Sequence, residues 1–180
     1  AVADNGVHMF SVVSWALGAD ATGPRYIEAA GRQAPNNIYD VPVEMEVRFE
    51  VAEPPCTVIW QQRPGAKLNL EFVGTEATLS GFWEFQITEG KADLSPTRDD
   101  PAQLERSEDH LGNWLECMAT RRRPVMDVEV GHRATCWSHL ANIAWLLGRK
   151  LQWDPVAERF VTDQQANRLL HYAYRQPWRL

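Results

Sequence analysis

Several familiar signatures are missing from this chain. No glycine-rich run follows a strand in Gly-x-Gly-x-x-Gly or P-loop spacing, and there is no Gly-x-Ser-x-Gly turn. The chain therefore carries no phosphate cradle and no nucleophile elbow of its own. Cysteine is scarce. Cys56, Cys117 and Cys136 are far apart and odd in number, with no Cys-x-x-Cys or Cys/His ligand spacing. They read as reduced, small hydrophobes, which favours an intracellular, cytoplasmic setting. No apolar run approaches the roughly 20 residues of a membrane span, and no signal peptide is visible. Basic residues are outnumbered, 18 against 24 acidic ones, for a net charge of −6 and a pI near 5.4. A basic field for nucleic acid or an anionic membrane is thereby excluded. The one dense basic run, Arg121-Arg122-Arg123, ends a helical pattern, where cations suit the dipole. There are no repeats and no low-complexity segments. There is also no initiator methionine, and the chain opens inside a motif, as part of a longer protein would.

What is present is a core-forming composition. At 180 residues, 44% hydrophobic and 23% charged, the chain is long enough for one ordinary domain without staples. Apolar residues recur at helical spacing from Gly6 to Leu17, with Gly18 at the left-handed cap position. Arg25 to Gln33 reads as a strand. Val41 to Val51 is the clearest one: Val43, Met45, Val47, Phe49 and Val51 alternate with Glu44, Glu46, Arg48 and Glu50. That period of two predicts a sheet with one buried face. Further strands are expected over Cys56–Gln62, 67–73, 77–80 and 82–88, joined by short turns into an antiparallel meander. A polar loop is expected over 90–101. Ser107 can cap a helix reaching Thr120, Asp127 one over Val128–Leu147, and Thr162-Asp163-Gln164-Gln165 fits a capping box for a helix reaching Ala173. Helix, strands, then helices predicts an α+β fold: an open, mostly antiparallel sheet with helices packed on one face.

The chemistry concentrates at the start, Asp4-Asn5-Gly6-Val7-His8. Asp4 and His8 are four apart, so a helix puts them on one face. One reading is a plain helix start, with Asp4 as the N-cap and His8 half-buried on the apolar side. The other is an acid/base pair, the carboxylate orienting the imidazole and making it a proton acceptor near neutral pH. On the Val128–Leu147 helix, His132 and His139 are seven apart, about 10 Å along the axis at 1.5 Å per residue. One metal cannot bridge them, since its ligands sit about 2 Å away. No metal is expected. His132, Arg133, His139 and Asn142 form either the polar face of a packed helix or part of a substrate cleft. Of the eight tryptophans, Trp15, Trp114, Trp137 and Trp145 are expected mostly in the core. Trp60 and Trp83 are expected in strands, one of them on an exposed sheet face that would bind a second subunit or a sugar.

Several stretches resemble one family in order and spacing. Asp4-x-Gly6-x-His8, running into Ser14-Trp15-Ala16-Leu17-Gly18, resembles the Asp-x-Gly-x-His segment of the glucose–fructose oxidoreductase / inositol dehydrogenase (Gfo/Idh/MocA) family. Asp127-Val128-Glu129-Val130-Gly131-His132-Arg133, Leu140-Ala141-Asn142-Ile143-Ala144 and Leu147-Gly148-Arg149-Lys150-Leu151-x-Trp153-Asp154-Pro155 are similar to the closing helix of a bacterial branch. Phe160, Ala166-Asn167-Arg168-Leu169-Leu170 and Tyr174-Arg175-x-Pro177-Trp178 match the same branch. Phe72-Val73-Gly74-Thr75-Glu76-Ala77-Thr78-Leu79 resembles its strand turn. The likeness runs from residue 4 to 180.

The resemblance implies a two-domain oxidoreductase. This chain, residues 1–180, would be its C-terminal substrate-binding and oligomerisation domain, of the dihydrodipicolinate-reductase-like kind. An N-terminal Rossmann domain, absent here, would hold most of the NAD or NADP. By matching position His8 would be the catalytic acid/base, with Asp4 orienting it or touching substrate. The substrate would be a sugar, polyol or related hydroxy compound. The open sheet face would join subunits into a homo-oligomer, and the isolated chain would be inactive. The family often has an aspartate three residues after the histidine, where this chain has Ser11. A non-catalytic scaffold domain of the same fold, or a stand-alone carbohydrate-binding domain, are the other two expectations.

Overall fold

The structure is a computed structural model, describing residues 2–19, 22–35, 38, 40–93 and 107–178. The chain divides into two compact units, Ala1–Pro64 with Val128–Leu180, and Gly65–Asp127. Among the described residues the architecture is α+β, with open antiparallel sheets and four helices.

The first unit is built on five strands. Helix α1 (Asn5–Leu17) precedes β1 (Tyr26–Arg32), β2 (Glu44–Val51) and β3 (Cys56–Gln62); after the second unit come α3 (Val128–Leu147), β7 (Leu151–Asp154), β8 (Arg159–Phe160) and α4 (Gln164–Arg168). The second unit holds β4 (Leu70–Val73), β5 (Ala77–Gly81), β6 (Phe85–Gly90) and helix α2 (His110–Thr120). The five-stranded order is β3-β2-β1-β7-β8, antiparallel throughout. Alternation decides which residues point where. Ile27, Ala29, Met45, Val47, Phe49, Val51, Leu151 and Trp153 face the core, and α1 and α3 pack over them. Phe10 of α1 meets Phe49 edge-on at 5.4 Å and stacks on Trp137 of α3 at 5.6 Å and 16°. These offset and edge contacts are the arrangements that aromatic quadrupoles favour. Ser138 Oγ donates to the Val2 carbonyl at 2.8 Å, fastening the chain start to the middle of α3.

The other face of this sheet is polar and open. Arg32 pairs with Glu44 at 2.6 Å, Gln61 donates to Glu46 at 2.9 Å, and Lys150 reaches Glu50 at 2.8 Å. Ile59 stands out among these groups, 54% exposed.

The structure differs from the expected meander in instructive places. After β3 the chain turns at Pro64 and Gly65, which takes φ +75°, and residues 66–69 join no strand. Strand β4 then pairs with β5, so β4-β5-β6 is a separate sheet. Its sixth-strand segment ends at Gly90, φ +75°, where a Cβ would run into the Glu76 carbonyl. Strand β2 starts at Glu44, three residues later than the alternation suggested. Helix α2 starts at His110; the Ser107 hydroxyl donates to the Asp109 carbonyl instead of capping it. Helix α4 is five residues long, and its cap is Asp163, which accepts from Ala166 N. The short strands β7 and β8 were not expected. The loop expected over 90–101 falls largely outside the described residues. Of the tryptophans, Trp137 is fully buried, but Trp15 and Trp114 are 38% and 51% exposed, and Trp83 lies at 89% exposure in the turn between β5 and β6.

Candidate active site

Helix α1 is amphipathic in a simple way. Gly6, Met9, Phe10, Val13 and Ser14 turn inward. Their spacing leaves Asp4, His8, Ser11 and Trp15 on the outer side, with Asp4 and His8 exposed. Gly18 closes the helix in the left-handed region, φ 62°, its N–H reaching back to Trp15 O. Asp4 stands at the N-cap position, but its φ of −103° and ψ of −85° carry no side-chain cap hydrogen bond. Of the plain helix-start reading the position holds, since Asp4 is the N-cap residue of a helix beginning at Asn5, but its carboxylate makes no cap hydrogen bond and His8 is exposed instead of half-buried. Among the described residues neither side chain has a hydrogen-bond or ion-pair partner, and they are not hydrogen-bonded to each other. Ser11 Oγ donates to the His8 carbonyl at 2.8 Å, the local back-bond that hydroxyls make in helices.

Helix α3 divides its polar residues into two groups. Ala134, Trp137, Ser138, Leu140, Ala141, Ile143 and Ala144 are buried. At the N-terminal end, Arg133 is only 15% exposed and is fully engaged: Nε donates to Glu129 at 2.8 Å, and Nη1 to the Pro155 carbonyl at 2.7 Å, with Glu158 at 3.0 Å. His132 Nε2 lies 2.9 Å from the same Glu158 carboxylate and 3.6 Å from Cys136 Sγ. Glu158 itself takes φ 49°, a costly left-handed backbone for a non-glycine residue. It sits in the β7–β8 turn, where Asp154 Oδ1 accepts from the N–H groups of Val156 and Ala157. Those two backbone donors, Ala157 first, hold the Asp154 carboxyl below the usual range. His132, Arg133 and Glu158 thus form a clasp between α3 and this turn. Burial, reinforced by the nearby Glu158 charge, pushes the Cys136 thiol up to about 11, so it is not a poised nucleophile. Further along, His139 is exposed and Asn142 half-buried, and neither side chain has a hydrogen-bond partner among the described residues.

The structure thus brings Asp4 and His8 onto one open helix, and His132 and Arg133 onto one carboxylate. No hydrogen bond or ion pair joins the two groups. Among the described residues no set of three His, Cys, Asp or Glu is placed to hold a metal ion. No described helix is long and apolar enough to cross a membrane. Glu158 was missed from the sequence, since only its positive φ and its distant partners mark it.

Comparison with known proteins decides the family. The model of the oxidoreductase family C-terminal alpha/beta domain matches residues 1–180. The chain belongs to the Gfo/Idh/MocA oxidoreductase family. Solved structures agree on the fold of this family domain. An NAD-binding protein from Listeria innocua superposes with a TM-score of 0.60 at 15% identity, covering 84% of this chain and 51% of the other. The WlbA dehydrogenase from Bordetella pertussis, in complex with NADH and UDP-GlcNAcA, gives 0.59 at 11% identity, covering 86% and 46%. The UDP-N-acetylglucosamine 3-dehydrogenase GnnA from Acidithiobacillus ferrooxidans gives 0.56 at 13% identity, covering 79% and 47%. The family domain thus spans about half the length of these structures. No curated protein matches it.

Proposed function

We propose that this domain is the substrate-binding half of an NAD(P)-dependent oxidoreductase acting on a sugar, polyol or related hydroxy compound. The observation that carries the reading is the open stripe of α1. His8 presents an unpartnered imidazole to solvent four residues after an unpartnered carboxylate, on a helix whose other face is locked into the core. A structural neighbour named a UDP-N-acetylglucosamine 3-dehydrogenase and a neighbouring dehydrogenase in complex with UDP-GlcNAcA support the substrate class. The chain offers no phosphate cradle, so the dinucleotide is held mainly by an N-terminal Rossmann domain. The exposed imidazole fits the substrate-facing side of such a site.

Bound NAD(P) supplies a two-electron hydride acceptor. The residues of this chain deal with the proton. Neutral His8 accepts the substrate hydroxyl proton as hydride leaves the same carbon, and so keeps charge from building on the oxygen. Asp4, one turn away, stabilises the imidazolium that results. His139 and Asn142, whose side chains have no hydrogen-bond partner among the described residues, supply substrate hydrogen bonds, while His132 and Arg133 are already held by Glu158. The open polar face of the five-stranded sheet joins two copies into a homodimer.

In the full-length protein, His8→Ala should lower kcat by about 10²–10⁴, the usual range for losing a general base. Alone, the 180-residue chain should give no saturable NAD(P)H fluorescence change, and saturation at micromolar cofactor would overturn the division of labour. The second reading, a non-catalytic domain of this fold, draws on Ser11, whose hydroxyl is spent on the His8 carbonyl. Turnover unchanged in His8→Ala would select it.

A further inference from the structure

The outer stripe of α1 continues past His8. Trp15 follows it by seven residues, which returns to the same side within about 20° and lies about 10.5 Å farther along the axis. The indole is 38% exposed, whereas Met9, Phe10 and Val13 on the inner face are buried. Phe10 has three aromatic partners within 5.6 Å. The Trp15 indole has no ring contact and no hydrogen bond among the described residues. Its neighbours along the stripe are Ser11, His8 and Asp4, with half-buried Val12 and exposed Ala16 beside it, so it is an aromatic plate at the end of a mainly polar strip.

A flat indole beside hydroxyl and imidazole groups suits one kind of ligand. Its face stacks on the C–H face of a sugar ring or on a base, and its edge N–H donates a hydrogen bond. The distance sets which part of the ligand it touches. With the reacting carbinol at His8, two helical turns away is beyond the ring being oxidised. A second ring, tethered to the first, would reach it.

We propose that Trp15 is the stacking platform for a second ring of the substrate, so that the site takes a glycoside or nucleotide-linked sugar in preference to a free sugar or polyol. This rests on His8 as the proton acceptor.

The test measures binding without turnover, in the full-length protein. Wild type, Trp15→Ala and Trp15→Phe are titrated by saturation-transfer NMR with UDP-N-acetylglucosamine, with a 4-nitrophenyl glycoside, and with free N-acetylglucosamine. Trp15→Ala should weaken at least one of the two linked-ring probes about tenfold and leave the free sugar unchanged. Trp15→Phe should recover most of the loss. A loss confined to the nucleotide probe identifies a base as the stacked ring, and one confined to the glycoside identifies the aglycone. Equal affinity of wild type and Trp15→Ala for both linked-ring probes, absence of binding by either protein included, overturns the proposal. So does an equal loss for the free sugar, which would mark Trp15 as structural. If the platform fails while His8→Ala still abolishes turnover, the proton-acceptor reading stands alone.

Discussion

Phe10→Ala is the substitution that most directly tests how the fold holds the site. Phe10 is 1% exposed and is the residue by which α1 enters the core. It touches Phe49 at 5.4 Å, Trp60 at 5.6 Å and Trp137 at 5.6 Å, so strands β2 and β3 and helix α3 all meet it. Truncating a buried phenylalanine to alanine costs about 3–5 kcal/mol from lost transfer energy and the cavity left behind. With a wall of three rings that cannot collapse inward, a value of about 4 kcal/mol is expected within that range. For a chain of this size that is a fall in Tm of about 8–16 °C, at roughly 2–4 °C per kcal/mol. Near-UV circular dichroism follows the melt, because the lost ring sits among the aromatic residues that give the signal. Hydrogen exchange supplies the local readout. Amides of residues 8–13 should lose protection before those of β1 and β2, since α1 is held by this peg while the sheet keeps its ladder. Phe10→Leu keeps apolar bulk and should lose roughly half as much. A loss below about 1 kcal/mol in Phe10→Ala would mean that α1 is anchored elsewhere, and the placement of His8 would need another explanation.

Three further outcomes are expected. Light scattering of the wild-type chain should show a dimer, and Ile59→Lys, on the open sheet face, should shift it to monomer; a wild-type monomer at high concentration would refute the interface. The Asp154 and Asp163 carboxyls are held below the usual range, Asp154 by the Ala157 and Val156 N–H groups and Asp163 by the Ala166 N–H and then Arg149. Below the ordinary aspartate value of about 3.9 the unfolded chain takes up these protons first, so stability is lost as pH falls through the folded values. Urea midpoints at pH 7 and pH 3 should therefore differ less in Asp154→Asn/Asp163→Asn than in wild type, and an equal drop in both would refute it. Cys136, pushed up to about 11, should react with iodoacetamide at pH 8 about a hundredfold more slowly than an ordinary thiol near 9, from its smaller thiolate fraction; a rate equal to that of a free thiol would contradict its burial.

The parts of the fold that could be read from the chain are those with local signals. The bounds of α1 and α3 follow from helical spacing and from Gly18 and Gly148, and the inward face of β2 from strict alternation. Strands β7 and β8 have four and two residues, too few to show a period, and they exist because β7 pairs with Ile27 and Tyr26 far upstream. The split into two sheets turns on where β4 finds its partner, which no local pattern states. For the site, the spacing of Asp4 and His8 gave their shared face, but whether that face points inward depends on Phe10 and Trp137. The polar residues of α3 looked alike in sequence. Glu158, distant along the chain, separates His132 and Arg133 from His139 and Asn142.

The tie between Ser138 and the Val2 carbonyl joins the two chain segments of the first unit, which the second unit separates in sequence. Phe49 and Trp60 can back α1 as soon as β2 and β3 are made, whereas the Trp137 and Ser138 contacts need the chain as far as α3. The same arrangement makes the intervening segment permissive, because doubling the length of a closed loop costs only about 0.6 kcal/mol. Insertions or deletions within 65–127 can thus be accommodated while α1 and its outward stripe keep their backing.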